Sequence, residues 1–111
     1  MERIVEQGLL YDFYGELLTE HQRYIYEAVV LNDLSLSEMA QEQGISRQGV
    51  HDLIKRCDKI LAEYEEKLHL VEKFNKIKAC VRQIETAAGT LTDSNQTEQI
   101  KRLANEILME L

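Results

Sequence analysis

The sequence predicts an all-α fold, and three observations predict it. Its 111 residues contain no proline and only five scattered glycines, leaving little material for hairpin turns. Glu, Lys, Leu, Gln, Ile and Ala dominate, a composition that favours helix. Apolar residues recur at three- and four-residue spacing along most of the chain, which is helical periodicity. With 44% apolar residues the chain can build a compact core, and its length suits one small domain with an appended arm.

Residues 3–17 predict an amphipathic helix carrying Leu10, Phe13, Tyr14 and Leu17 on one face, with Gly15 weakening its end. Thr19 followed three residues later by Gln22 is a capping-box signature for a second helix, whose inner face is Ile25, Ala28 and Val29. Asn32 and Asp33 supply a turn, and Ser37 or Ser35 caps a short helix running to about Gln43. Gly44 offers the positive φ of a sharp reversal, and Ser46 caps the next helix. Ala40 is small where two helices cross, and Met39, Ile45, Val50 and Leu53 are expected to face the core between them. In register, these residues spell a helix-turn-helix.

The helix begun at Ser46 has no obvious stop. Val50, Ile54, Cys57, Leu61, Tyr64, Leu68 and Val71 alternate four- and three-residue steps, which is a heptad seam. A second seam, Phe74, Ile77, Val81, Ile84 and Ala88, is offset by an extra three-residue step, predicting a bend or break near 66–73. "GTLTDSNQ", residues 89–96, predicts a loop in which Asn95, with Glu98, caps a last helix. Its stripe is Ile100, Leu103, Ala104, Ile107, Leu108 and Leu111. The chain thus divides into an N-terminal helical and helix-turn-helix domain, 1–66, and a long C-terminal helical arm, 67–111. The arm's seams are too apolar for so short a chain to cover alone, so a homodimer through this segment is expected.

The formal charge of −7 is unevenly spread. Residues 1–43 carry −7, 44–60 carry +2, 61–72 carry −3, 73–84 carry +4 and 85–111 carry −3. Two basic segments therefore sit on an acidic body, and any phosphate binding is weak and strongly salt-dependent. The first ten residues lack the apolar centre of a signal peptide, and the longest uninterrupted apolar run is Ala28 to Leu31; a cytoplasmic protein is expected. Cys57 and Cys80 form no CxxC and fall on apolar stripes, as expected of reduced, buried small hydrophobes. His21, His51 and His69 lack partners at metal-ligand spacing, and no phosphate loop or nucleophile motif is present. Neither catalysis nor a metal or cofactor is expected. Tyr11, Phe13, Tyr14, Tyr24 and Tyr26 are expected as core and interface aromatics.

The candidate nucleic-acid contacts are Ser46, Arg47, Gln48, His51, Lys55 and Arg56 on the recognition helix. Arg and Lys can donate to guanine, Gln can pair with adenine, and basic ends can hold phosphates. Asp52, in the middle of this face, repels phosphate. Lys73, Lys76, Lys78 and Arg82 form a second basic segment, although they cannot all share one helical stripe.

The stretch "LLTEHQRYIYEAVVLNDLSLSEMAQEQGISRQGVHDLIKRCDKILAEYEEKLHL", together with "DFYGELLT", resembles the YlxM-type helix-turn-helix proteins of Gram-positive bacteria. Residues 18–60 are also similar to region four of bacterial primary sigma factors, in which the matching helix docks in the promoter major groove. That resemblance implies a sigma region four-like domain and a DNA-contact role for Arg47, Gln48, His51, Lys55 and Arg56; Asp52 departs from the basic pattern. The YlxM resemblance implies a part in the signal recognition particle pathway, through DNA, the particle's RNA or the targeting GTPases. It brings no catalytic residues. Among DNA, particle RNA and a protein surface, the sequence leaves the ligand open.

Overall fold

The computed structural model describes residues 3–90 and 94–110, and every regular element among them is helical. Helix α1 spans Arg3–Tyr14 and tightens into a 3-10 turn at Gly15–Leu17. Gly15 is needed there, because a Cβ would lie 2.8 Å from the Tyr11 ring. Thr19 and Gln22 form the expected reciprocal cap on α2, Glu20–Tyr26. The chain then widens into a π-helical turn, Glu27–Leu31, closed by the Asn32 amide donating to the Glu27 carbonyl at 2.9 Å. Ser35 rather than Ser37 caps α3, Leu36–Gln43, accepting from the Glu38 amide. Helix α4 covers Arg47–Leu68, α5 Leu70–Ala88 and α6 Ser94–Glu110.

The contacts divide the chain into two compact units, 1–71 and 72–111. In the first, α4 is the shared wall against which α1, α2 and α3 all pack. Ile25, Met39, Ala40 and Val50 fill the angle between α2, α3 and the start of α4. Tyr14, Leu18, Tyr26, Cys57 and Leu61 form a second cluster between α1 and the middle of α4. The rings stack there: Tyr11 on Tyr26 with centroids 5.5 Å apart, and Tyr14 on Tyr64 at 6.0 Å. Their hydroxyls end on carboxylates. Tyr26 donates to Asp58 at 2.6 Å, Tyr14 to Glu65 at 2.5 Å, and Tyr11 to Glu27. Burial raises the hydroxyl pKa in all three, with the carboxylate partner second; for Tyr11 it is pushed up to about 12. Tyr24 stays on the surface and donates to Glu42.

The break predicted near 66–73 falls at His69, whose φ of 56° lies in the left-handed region. The His69 amide closes α4 on the Glu65 carbonyl at 2.8 Å, and α5 starts at the next residue. Two orphan amides of α5 are held by the first unit. Leu70 donates to the Tyr14 hydroxyl at 3.1 Å, and Val71 to the Glu65 carboxylate at 2.9 Å. A carboxylate at a helix N-terminus also complements the helix dipole. These bonds keep the chain with the first unit as far as Val71.

In the second unit Val81, Ala88, Thr97 and Ala104 are buried. Several expectations change here. The seam predicted along α5 splits: Val81 and Ala88 turn inward, whereas Ile77 and Ile84 remain 43% and 45% exposed. Ile77 and Ile84 each lie one turn from an inward residue, about 40° around the helix, on a line beside the buried one. The α6 stripe divides likewise, with Ala104 buried and Leu103 and Ile107 exposed, and Leu111 lies outside the described residues. Asn95 is inside α6 rather than capping it, because the helix already includes Ser94. Leu68, the next-to-last member of the first seam, is also exposed. Cys57 is buried, its thiol pushed up to about 11 chiefly by desolvation, but Cys80 is exposed, so only one cysteine behaves as a core residue. Both are free thiols. No helix among the described residues is long and apolar enough to cross a membrane.

Candidate nucleic-acid interface

The helix-turn-helix is built from three local devices. Gly44 takes φ 68°, and the turn closes with the Ile45 amide donating to the Ala40 carbonyl and the Gly44 amide to that of Gln41. This six-to-one and five-to-two pairing is a Schellman stop, which needs a residue tolerant of left-handed backbone. The Ser46 hydroxyl then accepts from the Gly49 amide at 3.0 Å and starts α4. Buried Met39, Ala40 and Val50 lock the two helices together. Ile45 does not join them. It is 43% exposed, its side chain bordering the space above Gly49, because the turn carries it to the outer side of the helix entry.

On α4, Val50, Cys57 and Leu61 are buried, and the opposite face carries the candidate contacts. Arg47, Gln48, Asp52, Lys55, Arg56 and Lys59 are exposed, and His51 is half-buried. Gln48, Asp52, Lys55 and Lys59 follow four- and three-residue steps along the outer line, with Arg47 and His51 on one flank and Arg56 on the other. Lys59 is a residue the sequence reading passed over; its signal is the four-residue step from Lys55. The Ser46 oxygen serves as a cap, which ties this candidate to the helix entry.

Asp52 engages its own neighbours. Gln48 Nε2 donates to Asp52 Oδ1 at 2.8 Å, and His51 Nδ1 lies 3.9 Å from the same oxygen. That His51 nitrogen is shielded from solvent and makes no hydrogen bond. Leu36, Arg47, Gln48 and His51 line a shallow depression at the junction of α3 and α4.

Asp58 behaves differently from what a count of charges suggests. It turns inward, where Tyr26 donates at 2.6 Å, Gln7 at 3.1 Å, and Arg3 forms an ion pair at 3.5 Å. Over residues 47–60 the outer face of α4 therefore sets Arg47, Lys55, Arg56 and Lys59 against Asp52, before Glu63 and Glu66 continue the same line. It is more positive than the segment's composition implies.

The second basic segment is organised less tightly. Lys73 and Lys76 lie on one side of α5, Lys78 and Arg82 on another. Lys76 pairs with Glu72 at 3.1 Å, and the Lys78 ammonium sits 5.6 Å from the centre of the Phe74 ring. Two of the four cations thus already have partners within their own helix.

Residues 1–103 match the UPF0122 family, described as "Putative helix-turn-helix protein, YlxM / p13 like". A UPF0122 protein of Thermoanaerobacter sp. (strain X514) is 41% identical over 103 residues, covering 93% of this chain and 88% of the relative. One from Clostridium kluyveri (strain ATCC 8527 / DSM 555 / NBRC 12016 / NCIMB 10680 / K1) is 38% identical over 108 residues, covering 97% of both. One from Halalkalibacterium halodurans (strain ATCC BAA-125 / DSM 18197 / FERM 7344 / JCM 9153 / C-125) is 41% identical over 96 residues, 86% of this chain and 88% of that protein. With a complete helix-turn-helix and relatives this similar along nearly their whole length, the chain belongs to the UPF0122 family of YlxM/p13-like helix-turn-helix proteins.

Proposed function

We propose that the protein is a non-catalytic, nucleic-acid-binding regulator acting in the cytoplasm within the signal recognition particle pathway. The observation that carries this reading is the outer face of α4, where Arg47 and Gln48 stand at the entry beside a Schellman turn and a serine cap, and Lys55, Arg56 and Lys59 follow two to three turns on. Cations at the rim hold phosphates, and Gln48 and Arg47 at the helix entry are the residue types that read base edges. The family resemblance supplies the pathway, and its ligand is duplex DNA or the particle's RNA.

Fluorescence anisotropy with duplex DNA and with particle RNA, at low and moderate salt, tests the reading. Saturable binding that weakens steeply with salt is expected. The double variant Arg47→Ala with Lys55→Ala should lose about tenfold or more in affinity. Unchanged affinity in that variant, or no saturable binding to either ligand, overturns the proposal.

Asp52 favours a second reading, in which the helix-turn-helix is a docking scaffold for the targeting GTPases. A carboxylate that occupies Gln48 Nε2 sits poorly against phosphates but suits a basic protein surface. Asp52→Asn separates the two. It should tighten nucleic-acid binding several-fold if α4 reads a duplex, and weaken GTPase capture if α4 docks a protein.

A further inference from the structure

We propose that the second unit is a self-association module, in which one face of α5 and α6 packs against the same face of a second copy of this chain. The observation is a pair of apolar strips that stay exposed among the described residues. On α5, Ile77, Cys80 and Ile84 follow three- and four-residue steps, and all three are exposed. On α6, Leu103 and Ile107 are one turn apart and are 48% and 45% exposed. Each strip lies beside the buried line of its own helix, Val81 and Ala88 on α5, Thr97 and Ala104 on α6. Each helix is therefore apolar around more of its circumference than its own unit covers. Exposed apolar side chains aligned along a helix in this way mark an interaction site.

The rims of the strips identify the occupant. The α5 strip continues toward the helix start through Lys76 and Lys73, which lie on the same side as Ile77. The α6 strip continues toward the helix end through Glu106 and Glu110, which with Leu103, Ile107 and Met109 line a shallow depression. One strip is apolar with a basic end, and the other is apolar with an acidic end. A two-fold interface presents the same patch from both copies and must complement itself. Here it does: the basic start of α5 in one copy meets the acidic end of α6 in the other, while Ile84 and Leu103 pack near the middle. The Lys76–Glu72 pair is an exposed i,i+4 contact, with side chains 74% and 51% accessible, and such pairs contribute little and exchange readily. Nucleic acid offers no match for the strips, since phosphates gain nothing from Ile84 or Leu103 and are repelled by Glu106 and Glu110. The proposal stands whether or not α4 binds nucleic acid.

Sedimentation velocity of the full chain at micromolar concentrations is the test, with circular dichroism on every variant. The wild type should sediment as a dimer. Ile84→Glu and Leu103→Glu, both at exposed positions, should each raise the dimer dissociation constant about 100-fold while leaving the helical signal intact. Alkylation of Cys80 should slow as wild-type concentration rises and should be independent of concentration in Ile84→Glu. Reversing Lys73 and Lys76 to Glu, or Glu106 and Glu110 to Lys, should weaken the dimer about tenfold at low salt, and reversing all four should restore it. A wild type that remains monomeric overturns the proposal, as does a dimer indifferent to both Ile84→Glu and Leu103→Glu. Failure of the fourfold reversal to restore a dimer lost on single-rim reversal overturns the pairing of the rims.

Discussion

The two units close their cores by different means. The first buries large side chains, among them Tyr14, Ile25, Tyr26, Met39 and Leu61, and ties its tyrosine hydroxyls to carboxylates. Among the described residues the second buries only the smaller Val81, Ala88, Thr97 and Ala104; both units leave some large apolar side chains in water, but in the second no large side chain is buried to anchor the rest. A unit with aromatic anchors and hydrogen-bonded tips specifies one packing by itself. A unit whose buried residues are small leaves its larger apolar side chains to be covered by something else.

The largest effect expected on this contrast comes from truncation. Leu61→Ala should cost about 2–5 kcal/mol in urea unfolding followed by tyrosine fluorescence, the range for a fully buried leucine. Ile84→Ala, measured at concentrations where the chain is monomeric, should cost less than about 0.5 kcal/mol. Equal losses would abolish the distinction between the units.

Alkali should attack the first unit selectively. All five tyrosines lie in it. Native pKa values for Tyr11, Tyr14 and Tyr26 lie above the ordinary 10.0, so the native state holds protons that the unfolded chain releases. Their contribution is fully present below pH 10 and is lost as pH rises through the native values, about 12 for Tyr11. Cys57 acts the same way over pH 9 to about 11. Stability against urea should fall from about pH 9 upward, more steeply past 10, and Tyr26→Phe should flatten that slope. A flat profile would show that these groups are equally solvated in both states.

A smaller change should loosen the joint at His69. Tyr14→Phe removes the acceptor for the Leu70 amide and a donor to Glu65, a loss of about 1–2 kcal/mol. Hydrogen exchange should accelerate at Leu70 and Val71 before it does at Val50. Smaller again, Gly44→Ala should cost about 1 kcal/mol from left-handed strain alone, since the space around its Cβ position is empty.

What the sequence made legible follows the same division. The Thr19 cap, the Gly44 stop, the Ser46 cap and the break at His69 were readable because each depends on residues a few positions apart. Asp58 was not, because its inward turn depends on Gln7 and Tyr26, 51 and 32 residues away. Ile45 was misread because a turn residue has no periodic facing to extrapolate. On α5 and α6 the spacing identifies apolar residues correctly but not which line faces inward; two adjacent lines satisfy a heptad equally well, and packing alone decides between them. The recognition face was legible in its residue types, while the Gln48–Asp52 bond that modifies its chemistry emerged from side-chain geometry.

The hydroxyl of Tyr14 bears on how the chain is made. It meets Glu65 across 51 residues and Leu70 across 56. Helix α1 leaves the ribosome well before α4, and most of α4 must be synthesised before Tyr14 has a carboxylate to bind. Until then Tyr14 lacks both Tyr64 and Glu65, although Tyr11 already has Tyr26 to stack on. Closure of the first unit is thus a late, long-range event, the kind of contact that slows folding and leaves a nascent chain open to capture by chaperones.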